Sequence, residues 1–219
     1  MYRLTAIALL STGITLIATV VLPIFSYELL TARRFGRPRE SLLSPVAQNW
    51  EVPRVVNLTR ASNWFVGTPS LTLGEVSSSI KYYTISIPKL KIKQATVEIG
   101  GEDLSRNLIQ YQGTALPGRI GNSLILGHSV LPQFFNPKNY LTIFSNLPKL
   151  KKGDEIVVEY DGITYRYSVS DMFEVEPSNL SVLEQNGDRP QLTLVTCVPP
   201  GTYLRRLVVK ADLVPPDTL

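Results

Sequence analysis

The sequence predicts a mostly β fold, a closed barrel of short strands with a few short helices, preceded by one N-terminal transmembrane helix. Three observations carry that expectation. No charged residue occurs from Leu4 to Tyr27, and after Ile80 the chain breaks into short apolar runs bounded by turn residues. Ten Tyr, together with 16 Pro and 14 Gly, favour strands and turns over long helices. Many short strands with few helices are the pattern of barrels and sandwiches, and the barrel is the expectation here.

The amino-terminal run continues past Glu28 to Leu30. About 20 apolar residues suffice to cross a bilayer, whereas the core of a cleaved signal peptide is roughly 7–15 residues long. No Ala-x-Ala follows the run, so residues 1–30 read as an uncleaved anchor in contact with membrane lipid, with Pro23 bending or ending the helix. Only Arg3 precedes the span, while Arg33, Arg34, Arg37 and Arg39 follow it. Counted by the positive-inside rule alone, those arginines place the carboxyl-terminal domain in the cytoplasm. They equal the whole formal surplus of +4. No basic stripe with interleaved aromatics appears beyond them, so nucleic acid is not an expected partner. Lipid headgroups suit them better than a binding site does.

Residues 31–79 read as a linker or stalk, punctuated by Pro38, Pro45, Pro53 and Pro69 and closed by Ser77-Ser78-Ser79, with Trp50 or Trp64 available to pack on the domain. Residues 80–219 form the domain itself. Strands are expected at 83–87, 95–99, 123–126, 155–160, 163–169, 191–197 and 207–214, with a hairpin turn at Asp161-Gly162. Short helices are expected at 103–110, 141–150 and 179–184.

The chain has one cysteine and one histidine. That excludes an intramolecular disulfide and a metal site of the usual Cys/His kind, so neither metal nor cofactor is expected. A lone cysteine is by default a small buried hydrophobe, but its surroundings argue otherwise. Cys197 ends the apolar run Leu192-Thr193-Leu194-Val195-Thr196-Cys197 and opens into Val198-Pro199-Pro200-Gly201. His128 likewise follows Ser123-Leu124-Ile125-Leu126-Gly127, and Arg205-Arg206 opens the run Leu207-Val208-Val209. All three groups fall at strand ends, where a substrate can reach them. Cationic neighbours stabilise a thiolate, an imidazole can protonate a leaving amine, and a guanidinium can hold a developing oxyanion. Successive strand residues face opposite sides, so only one of Arg205 and Arg206 can point at the thiol.

Thr193-Leu194-Val195-Thr196-Cys197 resembles the T-L-x-T-C signature of the sortase family. Arg206-Leu207-Val208-Val209 is similar to the family's arginine and the strand after it, and Ile125-Leu126-Gly127-His128 to its strand-Gly-His segment. Ile85-Ser86-Ile87-Pro88-Lys89-Leu90 resembles the first barrel strand, and Pro117-Gly118 with Gly121-Asn122 the approach to the histidine. These motifs follow the family's chain order over roughly residues 80 to 214. The loop Val198-Pro199-Pro200-Gly201 looks more like class D or E branches than like sortase A.

The resemblance implies an eight-stranded barrel held outside the cell by a single-pass anchor. It further implies a cysteine transpeptidase acting on surface proteins that bear an L-P-x-T-G-like sorting signal, with an amine acceptor on a peptidoglycan precursor or a pilin lysine. It assigns Cys197 as nucleophile, His128 as acid and base, and Arg206 as oxyanion or peptide holder, with Thr196 and Arg205 as supporting candidates. Two rival readings use the same residues. One is a non-catalytic, membrane-tethered adhesin or adaptor, and the other a cysteine peptidase that hands its acyl group to water.

Overall fold

The computed structural model describes residues 2–35, 57–65, 79–185 and 187–215. Trp50, Arg37, Arg39 and most of the expected linker lie outside them. Helix α1 covers Tyr2–Ser26 with no buried residue and passes into a wide turn at Tyr27–Thr31. The apolar helical stretch Tyr2–Arg34 is long enough to cross a membrane.

Eight strands follow: β1 Tyr82–Ile87, β2 Ile92–Ile99, β3 Leu108–Gln110, β4 Gly121–Leu126, β5 Glu155–Tyr160, β6 Ile163–Val175, β7 Pro190–Val198 and β8 Arg205–Leu213. They close into a barrel in the order β1-β2-β3-β4-β7-β8-β6-β5. Two of the pairings, β2 with β3 and β4 with β7, are parallel. Ile85, Val97, Leu108, Ile125, Ile156, Tyr167, Leu192 and Leu207, one from each strand, belong to the cluster that fills the barrel. A second cluster, including Leu124, Leu126, Val195 and Val208, lies on the outer face of β4, β7 and β8 beneath Ala61, Trp64, Leu104 and Val182. These three strands are therefore buried on both faces over most of their length and carry unbroken apolar stretches such as Leu124-Ile125-Leu126 and Leu207-Val208-Val209, whereas β1 alternates.

The expected helices are the part the structure corrects. Residues 103–110 carry Leu104 and Leu108 at helical spacing, yet they form a turn followed by β3. Asp103 Oδ1 accepts from the Ser105 amide (3.0 Å) and hydroxyl, a local bond that competes with helix. Leu108–Gln110 then bridges β2 and β4. Residues 141–150 are a chain of turns ending in a 3-10 turn at Leu147–Lys149, drawn out by the Phe144 amide donating to His128 O at 3.0 Å. Residues 179–184 hold only a 3-10 turn at Leu180–Leu183, capped by Asn179.

Of the segment between anchor and barrel, residues 57–65 lie on the barrel. Ala61 N donates to Glu102 O (3.0 Å), and Leu104 N to Thr59 O (2.9 Å). Ala61, Trp64 and Phe65 are buried.

Candidate active site

Strands β4, β7 and β8 are neighbours, and their adjoining ends carry the three groups of interest. The parallel register pairs Leu126 with Val195. It continues through the Gly127 amide, which donates to Val195 O at 3.1 Å, and two residues on this brings His128 beside Cys197. On the other side Cys197 pairs directly with Arg206. Side chains alternate along a strand, so His128, Cys197 and Arg206 share the outer face of Leu126, Val195 and Val208. Neighbouring strands lie about 4.8 Å apart, so the thiol is flanked by imidazole and guanidinium.

Two hydroxyls tie these ends together. Thr196 Oγ1 donates to Gly127 O at 2.8 Å, and Ser129 Oγ to Cys197 O at 2.6 Å. Thr196 thus turns away from the thiol and holds the backbone that carries His128. Ser129 carries no special signal in the sequence. Gly127 is needed for closeness, because a Cβ there would strike the Phe144 ring and the Leu108 side chain. Gly127→Ala is expected to lower stability by about 1–3 kcal/mol and to slow thiol alkylation as the His128 backbone shifts. Thermal melting and iodoacetamide kinetics would check both effects.

The two arginines separate as strand geometry requires. Arg205 lies on the opposite face, where its Nε meets Glu174 Oε2 at 2.7 Å and its other end meets Glu28. Arg206 is 2% exposed. Its guanidinium donates to Tyr203 O and Trp64 O, each at 3.1 Å. Among the described residues Arg206 Nε and His128 Nε2 have no hydrogen-bond partner.

Trp64 is the neighbour least visible in the sequence, where it falls in a stretch that reads as linker. It is fully buried. Its indole N–H donates to Leu58 O at 2.8 Å. Its ring centroid lies 5.7 Å from that of His128 and 5.4 Å from the Arg206 guanidinium carbon, the latter within cation–π range. Trp64 therefore caps the face on which Cys197 sits, and the thiol is only 4% exposed.

This cover sets the electrostatics. Burial pushes the Cys197 thiol up, while the charge of Arg206 pulls it down less strongly. Burial also pushes His128 below its ordinary value, partly offset by Asp103. Under the cover both shifts favour the neutral forms, a thiol beside an imidazole.

A closed barrel with thiol, imidazole and guanidinium on one face at adjoining strand ends suits cysteine-based acyl transfer. Comparison with known proteins gives the class. The family model for the sortase domain matches residues 85–214. Sortase A of Bacillus anthracis is 31% identical over 133 residues, covering 59% of this chain and 58% of that protein. A Clostridium perfringens sortase D5 transpeptidase superposes with TM-score 0.54 at 31% identity, over 66% of this chain and 85% of that one. Sortase C-1 of Actinomyces oris gives TM-score 0.54 at 31% identity, over 63% and 76%.

The chain belongs to the sortase family, whose members are cysteine transpeptidases. It spans just over half the length of the curated sortase A proteins it matches. Sortases A, C and D all appear among its relatives.

Proposed function

We propose that this protein is a membrane-anchored cysteine transpeptidase that cleaves an L-P-x-T-G-like sorting signal and transfers the protein to an amine. In this reading residues 1–30 are the anchor, 31–79 the linker and 80–219 the catalytic domain, which lies outside the cell. The acceptor amine belongs to a cell-wall precursor or a pilin lysine. The observation that carries the reading is the sharing of one outer face by His128, Cys197 and Arg206 on three neighbouring strand ends.

The chemistry follows from that arrangement. Once the site is uncovered, the Cys197 proton passes to His128. The sulfur attacks the carbonyl carbon before the scissile bond, and the oxygen gains the charge. Arg206, permanently cationic and rich in donors, stabilises that oxyanion. His128 returns the proton to the departing amine as the C–N bond breaks, which leaves a thioester. The incoming amine then attacks the thioester and loses a proton to His128. The new amide forms, and the sulfur leaves to regain its proton.

A panel of sorting peptides, offered with a triglycine or lysine-bearing acceptor, tests the whole sequence. A thioacyl mass on Cys197 and a ligated product are expected, and both should vanish in Cys197→Ala. Cleavage without ligation would favour the hydrolase, and no cleavage of any peptide the adhesin or adaptor.

A further inference from the structure

Helix α1 does not stand clear of the barrel. The Tyr27 hydroxyl donates to Glu174 Oε1 at 2.6 Å, and Arg205 joins Glu174 to Glu28. Glu174 is 2% exposed, so this is a buried, charge-assisted tether between the end of the anchor and the start of β8. Arg206, the next residue along, lies on the site face. Further into the helix, Gln133 Nε2 donates to Thr19 O at 2.9 Å. Gln133 belongs to the 3-10 turn Pro132–Phe134, which follows His128 closely in the chain. At 1.5 Å rise per residue, Thr19 lies about 10 Å inside the end of α1 at Ser26.

A groove of about 710 Å³ runs between helix and barrel. Leu22, Phe25 and Leu29 line it from the helix, and Pro132, Pro148 and Pro200 from the barrel. Arg34 and Lys149 also line it. Large apolar side chains stand free at the same end: Phe134 is 63% exposed, Tyr203 70% and Leu204 58%. The loops that carry them adjoin, since a Cβ on Gly201 would meet Leu131 at 2.9 Å. Exposed apolar groups gathered beside a membrane-length helix, with Arg34 and Lys149 lining the same groove, mark an interfacial surface.

We infer that the end of the barrel bearing Cys197 is seated on the lipid surface. Phe134, Tyr203 and Leu204 enter the boundary between headgroups and acyl chains, and acyl chains fill the groove. Arg34 and Lys149 meet lipid phosphates. This inference rests on the membrane-anchored reading above.

Its test reads lipid contact and needs no activity. The full chain carrying Cys197→Ala receives one cysteine at a time, by Ile14→Cys, Phe134→Cys, Leu204→Cys or Ile163→Cys. Each is labelled with bimane and placed in phosphatidylglycerol nanodiscs containing nitroxide lipid. Position 163 serves as the distant control, because it lies at the other end of β6 from Val175, the partner of Arg206. Strong loss of emission is expected at 14, 134 and 204 and little at 163. If 14 is quenched but 134 and 204 behave like 163, the barrel stands off the membrane and the inference falls while the anchor stands. If 14 is also unquenched, the anchor reading fails and takes the inference with it.

Discussion

Replacing Trp64 by alanine is expected to speed iodoacetamide alkylation of Cys197 by about tenfold or more at neutral pH, with the rate–pH profile moved to lower pH. The cause is the cover over the thiol. Burial raises the Cys197 pKa and outweighs the lowering by Arg206. With the indole gone, water reaches the sulfur and the burial effect shrinks, while the guanidinium on the neighbouring strand remains. The thiol pKa must then fall, and each unit of that fall increases the thiolate fraction about tenfold below the pKa. His128 moves the other way: released from burial, its pKa rises towards the ordinary value, which favours the protonated acid. Trp64→Phe should fall between, since it keeps a ring but loses the donor to Leu58 O. An unchanged rate and profile in Trp64→Ala would mean that residues 57–65 lift off freely and control nothing.

The second large effect is expected at Arg206. Arg206→Lys keeps the positive charge beside the thiol, so alkylation should change only a few-fold. Turnover of a sorting peptide should nevertheless fall by about 10²–10³-fold in kcat, the usual cost of removing one oxyanion donor. A lysine offers a mobile point charge in place of a planar fork. Its three donors radiate from a single nitrogen, so they cannot reproduce the span by which Arg206 reaches Tyr203 O and Trp64 O from two separate nitrogens and keeps Nε free. Steady-state kinetics beside alkylation separates the two roles. A parallel loss in both would show that Arg206 acts only by setting the thiol.

Much of the barrel is legible in the sequence because its strands are bounded by strong punctuation. Asp161-Gly162 marks the β5–β6 hairpin, Pro88 ends β1, and Gly127 and Pro199 stop β4 and β7 close to their true ends. β3 is hidden for a physical reason. Three residues paired to β2 on one side and β4 on the other are too few to show a period, and Leu104 and Leu108 imitate a helix turn. The far half of β6 is also missed, because Asp171 and Glu174 interrupt its apolar pattern and the pairing with β8 shifts register between Val169 and Asp171.

At the site, Cys197, His128 and Arg206 are each flagged by their local runs, and strand alternation already says that only one arginine can face the sulfur. Alternation alone does not say which; the resemblance picks Arg206, and the pairing of β7 with β8 sets it opposite the sulfur. Trp64 is legible as one of two tryptophans available to pack on the domain, but its place over the site is not, because it comes from a fold-back of residues 57–65 whose own pattern resembles a linker. The Glu28–Arg205–Glu174 tether escapes because its members are far apart in the chain.

The doubled arginine at the head of β8 has a consequence for folding fidelity. If β8 slid by one residue against β7, Arg205 would arrive opposite Cys197, and the sulfur would meet the same chemical group as before. The site cannot proofread its own alignment. Discrimination must come from elsewhere along the strand. A slip would turn Leu207 and Val209 out of the barrel filling, whereas Arg206 would arrive opposite Glu174, where Leu207 now pairs, and that buried acid would keep a cation. The hydrophobic alternation of β8 thus guards an alignment that the charged groups themselves would not notice losing.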